Sequence, residues 1–140
     1  VGTMIAELLA QMALLPRPIM VAGASDLLAR TGVRLSLVTS ANLAWAQTCL
    51  GDLLERFEVI VTRDDVANGK PHPEPYALAC RLLSVAPANC IAVEDAPAGV
   101  ESALAAGVGQ VVAITSTFAA TELAAAHVVV SSLDAVNDLF

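Results

Sequence analysis

Aromatic and charged side chains are both scarce in this 140-residue sequence, at 4% and 15% of the residues. Because hydrophobic residues make up 56%, the chain is too apolar to be disordered and long enough for one domain with its own core. Ala, Val and Leu must fill that core, which suits helices packed closely on a sheet. Seven basic residues against fourteen acidic ones give a formal charge of −7, which argues against a nucleic-acid partner.

Long apolar runs and clustered cysteines are missing as well. No run reaches the length of a membrane span, and the N-terminus lacks the pattern of a signal peptide. Cys49, Cys80 and Cys90 form no CxxC or Cys/His cluster, so neither a disulfide framework nor a zinc site is indicated. We therefore expect no membrane partner, and reduced thiols in a cytoplasmic protein.

Short apolar runs rich in β-branched residues alternate with helical patterns along the chain. Such runs are typical of strands buried on both faces of a parallel sheet, and their alternation with helices predicts a doubly wound, three-layer α/β fold. A further helix is predicted over residues 3–15, and a last short one runs from Ser131 and Ser132 to Leu139. The predicted strands are 35–38, 59–61, 90–93, 111–114 and 128–130, and the predicted helices between them are 42–50, 75–84 and 97–106.

Sites in such folds lie beyond the C-terminal ends of the strands, so the residues that follow each run are the candidates. The first run ends at Thr39 and Ser40, directly before a helix. The Thr39 hydroxyl and the Ser40 amide could donate to a phosphate oxygen. A purely structural alternative is that these side chains cap the helix.

A stiff loop, NGKPHPEPY, carries Lys70 shortly before the next helix. Pro71 and Pro73 restrict the backbone on either side of His72, so the loop can hold an ammonium over an anion. The alternative is a solvated lysine in a helix-entry loop. We interpret His72 as a loop residue rather than a ligand.

Two adjacent carboxylates, Glu94 and Asp95, stand at the end of the run 90–93 and just before a helix. Hard oxygen ligands at this point suit Mg²⁺, which commonly takes one or two carboxylates and keeps several waters. Asp95 could instead cap the helix, but capping needs a single acid. The pair therefore favours a metal site. Together with Thr39 and Lys70, it supplies the parts that phosphoryl transfer requires.

On these residues the chain resembles the haloacid dehalogenase-like (HAD) hydrolase superfamily over residues 17–140. LVTSAN, NGKPHPEPY and VEDAPAGVESALAAG are similar to the family's second, third and fourth motifs. The sugar-phosphatase, phosphoglycolate-phosphatase and β-phosphoglucomutase branch is the most similar. The resemblance implies that Thr39 and Ser40 bind the phosphoryl group. It also implies that Lys70 neutralises the phosphoryl charge and that Asp95 and Glu94 hold Mg²⁺.

The sequence departs from the family at the first motif, Asp-x-Asp-x-Thr, which no aspartates of this chain form. In the family that motif supplies the nucleophile and the general acid and base, at the end of a central strand. We therefore expect a HAD-like Rossmannoid core over residues 17–140 that lacks its central first strand and most of the cap domain. Residues 1–16 would be the remnant of the last cap helix.

An open central position would leave two strand edges exposed. An upstream segment, a second copy of the chain, or Ile19, Met20 and Val21 could fill it. The leading hypothesis is the C-terminal part of a Mg²⁺-dependent phosphohydrolase of small phosphorylated metabolites such as sugar phosphates, inactive alone. The alternative is a non-catalytic HAD-like module that self-associates or binds a partner through its open sheet edge.

Overall fold

The computed structural model describes residues 3–6, 29 and 32–138. The described residues form one parallel sheet with helices on both faces. Its strands are β1 (Thr3–Ala6), β2 (Arg34–Val38), β3 (Val59–Val61), β4 (Cys90–Glu94), β5 (Gln110–Ile114) and β6 (Val128–Val130). Its α-helices are α1 (Leu43–Leu50), α2 (Glu74–Leu83), α3 (Pro97–Ala105) and α4 (Leu133–Asn137). Short 3₁₀ turns cover Gly51–Arg56, Arg63–Asp65 and Pro87–Asn89.

The six strands are all parallel and lie in the order β3-β2-β1-β4-β5-β6. The order reverses at β1, which is flanked by β2 and β4. In doubly wound sheets the chain diverges at such a point, and a crevice opens beyond the C-terminal strand ends. The topology therefore places the candidate site above the C-terminal end of β1.

The hydrophobic core is split between the two faces of the sheet, because alternate strand residues point to opposite sides. On one face, Leu35 and Leu37 of β2 pack with residues of α1 and α4. On the other, Val38 of β2 and Ala92 of β4 pack with residues of α2 and α3. The two apolar clusters give the three layers of helix, sheet and helix that the alternation of elements predicts.

Most of the predicted elements are confirmed. The five predicted strands appear as β2 to β6, and the helices predicted at 42–50, 75–84 and 97–106 appear as α1, α2 and α3 with ends shifted by one residue at most. The helix after Ser132 is α4, although the Ser132 side chain makes no capping hydrogen bond. The doubly wound parallel α/β class is confirmed.

The helix predicted over residues 3–15 is wrong for residues 3–6, which form β1. Ala6 pairs with Leu37 of β2 and with Val93 of β4, so the position between those strands is not open. Thr3–Ala6 thus lies in the core sheet rather than in a cap helix. Residues 7–16 and the segment with Ile19, Met20 and Val21 lie outside the described residues, and the division at residue 16 stays a prediction.

Among the described residues, none of the helices has the length and apolarity needed to cross a membrane.

Candidate functional site

The predicted site residues lie at the C-terminal edge of the sheet, on both sides of β1. Thr39 directly follows β2, whereas Glu94 ends β4 and Asp95 follows it. All three are buried, with 3%, 0% and 2% of their surface exposed. Because β1 separates β2 from β4, the two groups are two strand spacings apart, roughly 9–10 Å. A long side chain must span that gap for them to act together.

Lys70 spans the gap. Its Nζ donates a hydrogen bond to the Val38 carbonyl oxygen at 3.2 Å and lies 2.5 Å from Oε1 of Glu94. Its side chain is only 4% exposed. The buried ammonium therefore joins the end of β2 to the end of β4 across the end of β1, which contradicts the alternative of a solvated loop lysine.

The position of Glu94 in its strand decides which way its carboxylate points. Cys90, Ala92 and Glu94 alternate onto the face covered by α2 and α3, where Cys90 and Ala92 lie in the apolar cluster. There the hydroxyl of Tyr76 on α2 donates a short hydrogen bond to Glu94 Oε1, the oxygen that also faces Lys70. The Lys70 ammonium lies 5.0 Å from the centre of the Tyr76 ring, within cation–π range.

Burial and the neighbouring charges shift the pKa values of this cluster. Burial lowers the pKa of Lys70, an effect that the charges of Glu94 and Asp95 oppose. Burial and the Glu94 charge together raise the pKa of Tyr76 well above its ordinary value. Burial, followed by the Glu94 charge, also raises the pKa of Asp95 to about 7, against the opposing effect of Lys70. Burial thus disfavours the charged forms of Lys70, Tyr76 and Asp95.

Glu94 and Asp95 fit a divalent cation. Oε2 of Glu94 and Oδ2 of Asp95 are buried and have no hydrogen-bond partner among the described residues. Asp95 does not cap α3, since the N-cap is Ala96 and makes no side-chain capping bond. The structural alternative for Asp95 is therefore wrong. No group of three or more His, Cys, Asp or Glu side chains in the described part of the chain could hold a metal, so a cation here would retain waters.

Thr39 and Ser40 line a cavity of about 240 Å³ with Lys70. The Thr39 hydroxyl oxygen accepts a hydrogen bond from the Ala41 amide at 3.0 Å, so its own hydrogen can be donated to a ligand. The N-cap of α1 is Asn42, whose side chain accepts from the Trp45 amide. Thr39 and Ser40 are therefore not the cap of this helix, and three of the five predicted site residues face one cavity.

The loop that carries Lys70 is held at both ends. The Glu74 carboxylate at the start of α2 accepts hydrogen bonds from the amides of Ala67 and Asn68, at 2.8 and 2.9 Å. The buried Ser102 hydroxyl of α3 donates to the carbonyl oxygen of His72 at 2.6 Å. Within the described residues the His72 ring accepts a hydrogen bond from the nearby Glu74 amide, which agrees with the interpretation of His72 as a loop residue.

Sequence reasoning missed three residues at the site. Tyr76 stands within the third motif, but no sequence signal shows that its hydroxyl reaches Glu94 at the end of β4. Gly99 lies directly against the Glu94 carboxylate, where any side chain would collide with it. Arg63 lines the cavity with Thr39 and Lys70, although it follows β3 and Thr39 follows β2. All three contacts join different elements of the fold.

A larger and more open hollow, of about 680 Å³, lies on the other side of the Lys70 loop. Its lining includes His72 and Glu101 but none of the predicted site residues. The smaller cavity is therefore the candidate site, because Thr39, Ser40 and Lys70 line it.

Known proteins are similar to this chain in sequence and in fold. The family model for haloacid dehalogenase-like hydrolases matches residues 2–107. The chain is 40% identical to validoxylamine A 7'-phosphate phosphatase of Streptomyces hygroscopicus subsp. limoneus, over 98% of this chain and 67% of that protein. It is 38% identical to hexitol phosphatase A of Escherichia coli (strain K12), over 74% of this chain and 52% of the relative.

A solved structure of CbbY from Rhodobacter sphaeroides in complex with phosphate superposes with a TM-score of 0.72 and 34% identity, covering 81% of this chain and 54% of CbbY. The chain thus spans two thirds of the first relative and about half of the other two. On the match of the family model to most of its length, this chain belongs to the haloacid dehalogenase-like hydrolase family.

Proposed function

We propose that this chain carries the phosphoryl-binding and metal-binding part of a Mg²⁺-dependent phosphohydrolase that acts on small phosphorylated metabolites such as sugar phosphates. The observation that carries the proposal is the buried Lys70 ammonium, which joins the end of β2 to Glu94 beside a cavity lined by Thr39 and Ser40. The phosphatases among its relatives support the same reaction class.

Each residue has a role in this proposal. The Thr39 hydroxyl and the Ser40 amide donate hydrogen bonds to the oxygens of the phosphoryl group, and Lys70 neutralises part of its charge. Asp95 and Glu94 hold Mg²⁺, which, when bound, supplies positive charge against the charge that develops on the phosphoryl oxygens. Their unpartnered buried oxygens support this role.

The nucleophile and the general acid are not assigned to any residue of this chain. No two of its aspartates stand in the Asp-x-Asp-x-Thr pattern. We therefore expect the 140-residue chain alone to bind phosphate without hydrolysing p-nitrophenyl phosphate in the presence of Mg²⁺. Turnover by a pure sample, lost with Lys70→Met, would contradict this account of the nucleophile.

Binding measurements test the two parts separately. Inorganic phosphate is titrated into ¹⁵N-labelled chain with Mg²⁺ present, and Mn²⁺ binding is followed by electron paramagnetic resonance. Thr39→Val should weaken phosphate binding, and Asp95→Asn should remove most of the Mn²⁺ binding. The matched controls are the exposed residues Arg81 and Asp134, as Arg81→Gln and Asp134→Asn.

Two results would contradict the proposal. One is phosphate binding by Thr39→Val as tight as that of the wild type, and the other is Mn²⁺ binding that survives Asp95→Asn.

The non-catalytic module receives less support. That alternative requires an open edge at the centre of the sheet, whereas β1 pairs there with both β2 and β4. The outer strands β3 and β6 are each three residues long, and short edges are poor templates for strand pairing.

A further inference from the structure

Arg63 lines the same cavity as Thr39, Ser40 and Lys70, yet the three motifs do not contain it. We propose that Arg63 is a second anion-binding residue, which selects substrates that carry another acidic group besides the transferring phosphoryl group. The second group is a carboxylate or a phosphate, because both present paired oxygens to a guanidinium. This inference rests on the proposed function, since it places the phosphoryl group beside Thr39 and Lys70.

The backbone of Arg63 is fixed to the wall of the cavity. Its amide donates to the carbonyl oxygen of Ala41 at 3.1 Å, which ties the end of β3 to the segment that follows Thr39. The 3₁₀ turn Arg63–Asp65 is closed by Thr62, whose amide and hydroxyl both donate to Oδ2 of Asp65, at 2.7 and 3.0 Å. The Arg63 side chain therefore starts from a defined position beside the predicted phosphoryl site.

The two cationic side chains among the described residues that line the cavity, Lys70 and Arg63, differ in how far the protein balances their charge. Lys70 is buried and pairs with Glu94, so much of its charge is balanced within the protein. Arg63 is exposed, and none of its contacts within the described part of the chain is a salt bridge. Of the acids beside it, Asp65 is engaged by Thr62, and Asp64 is exposed. Arg63 thus keeps positive charge to offer a ligand.

The size of the cavity suits a small metabolite with two acidic groups. Its volume of about 240 Å³ is far more than the roughly 10–15 Å³ that one ordered water needs. Room therefore remains beside a phosphoryl group for a few further atoms. The guanidinium of Arg63, which belongs to the lining, can hold a planar carboxylate or a second phosphate by two parallel hydrogen bonds, which a neutral hydroxyl cannot match.

Three matched probes test the inference by NMR titration of the 140-residue chain with Mg²⁺ present: 2-hydroxyethyl phosphate, 2-phosphoglycolate and ethylene glycol bisphosphate. We expect one or both acid-bearing probes to bind about tenfold more tightly than the hydroxyl probe, the size of one charge-assisted pair. The acidic probe that binds more tightly shows whether the second group is a carboxylate or a phosphate. Arg63→Gln should remove the preference, Arg63→Lys should keep part of it, and Arg81→Gln should leave it unchanged.

Inorganic phosphate separates the failure of this inference from that of the proposed function. A preference that persists in Arg63→Gln overturns the inference, and so does a wild type that binds inorganic phosphate but prefers neither acidic probe. Equal weakening of all the ligands by Arg63→Gln also overturns it, because Arg63 would then belong to the phosphoryl site. If the wild type does not bind inorganic phosphate at all, the proposed function fails and this inference fails with it.

Discussion

At the scale of single residues, the site depends on one carboxylate oxygen that serves two donors. Oε1 of Glu94 accepts from Lys70 and from Tyr76, while the side chain is wholly buried. A buried carboxylate is tolerated only when it is paired and hydrogen-bonded, so each donor offsets part of the cost of burying Glu94. Tyr76 is in this sense a positioning residue, since it acts on the site through Glu94.

Tyr76→Phe removes the hydroxyl and retains the ring beside Lys70. We expect the free energy of unfolding to fall by about 1–3 kcal/mol, the usual range for a lost hydrogen bond to a buried charged group. Urea denaturation of the purified chain measures the change.

The matched control is Leu82→Ala on the same helix, where a side chain that is 55% exposed should change stability by less. A Tyr76→Phe variant as stable as the wild type would mean that the hydroxyl does not support Glu94.

At the scale of elements, the close approach of α3 to β4 sets the shape of the site. Gly99 in α3 lies against the Glu94 carboxylate, and the space has no room for a methyl group. Helix α3 can therefore approach the end of β4 only because residue 99 has no side chain. The same approach brings Ser102 to the carbonyl oxygen of His72 in the Lys70 loop.

Gly99→Ala should move either the helix or the carboxylate. Although alanine favours helices, overpacking of a buried site costs about 1–3 kcal/mol, so we expect a net loss of stability and weaker Mn²⁺ binding. The control is Gly69→Ala, where the added methyl group meets nothing within 4 Å. Unchanged Mn²⁺ affinity in Gly99→Ala would show that the contact does not shape the metal site.

The loop before α2 should respond to acid. Hydrogen bonds from the Ala67 and Asn68 amides lower the pKa of Glu74 below its ordinary value of 4.5. Because the folded-state pKa is the lower one, the stabilisation is present above the ordinary pKa and is lost as the pH falls through the folded one.

NMR titration should show the Ala67 and Asn68 amide shifts following the Glu74 carboxyl group at a pKa below 4.5. Glu74→Gln should remove this transition, and Glu101→Gln, an exposed acid on α3, should leave it in place. A transition that persists in Glu74→Gln would belong to another group.

At the scale of the whole molecule, β1 joins the two halves of the sheet. Its residues Thr3–Ala6 pair with Arg34–Leu37 on one side and Cys90–Val93 on the other. Since β1 occupies the middle of the order, the β3–β2 half contacts the β4–β5–β6 half of the sheet through it. Stability of the fold as one cooperative unit should therefore depend on four residues near the start of the chain.

Ile5→Pro should separate the two halves, because proline cannot donate to the ladder of a central strand. We expect a lower urea midpoint and faster amide exchange in both β2 and β4. Ile5→Val keeps the backbone donor and a β-branched side chain, so it should change much less. If Ile5→Pro left exchange in β2 and β4 unchanged, β1 would not be part of the stable sheet.

The amino-acid sequence alone predicts strands β2 to β6, helices α1 to α3 and the residues at the strand ends. These follow from local apolar runs and turn residues, and the parallel topology then brings Thr39, Lys70 and Asp95 to one edge. Residues 3–6 form a strand because of their tertiary contacts: a short segment with a helical pattern can become a strand when two neighbouring strands offer it their backbone groups. The contacts of Tyr76, Gly99 and Arg63 with the site also depend on the tertiary structure, since each is made between different elements of the fold.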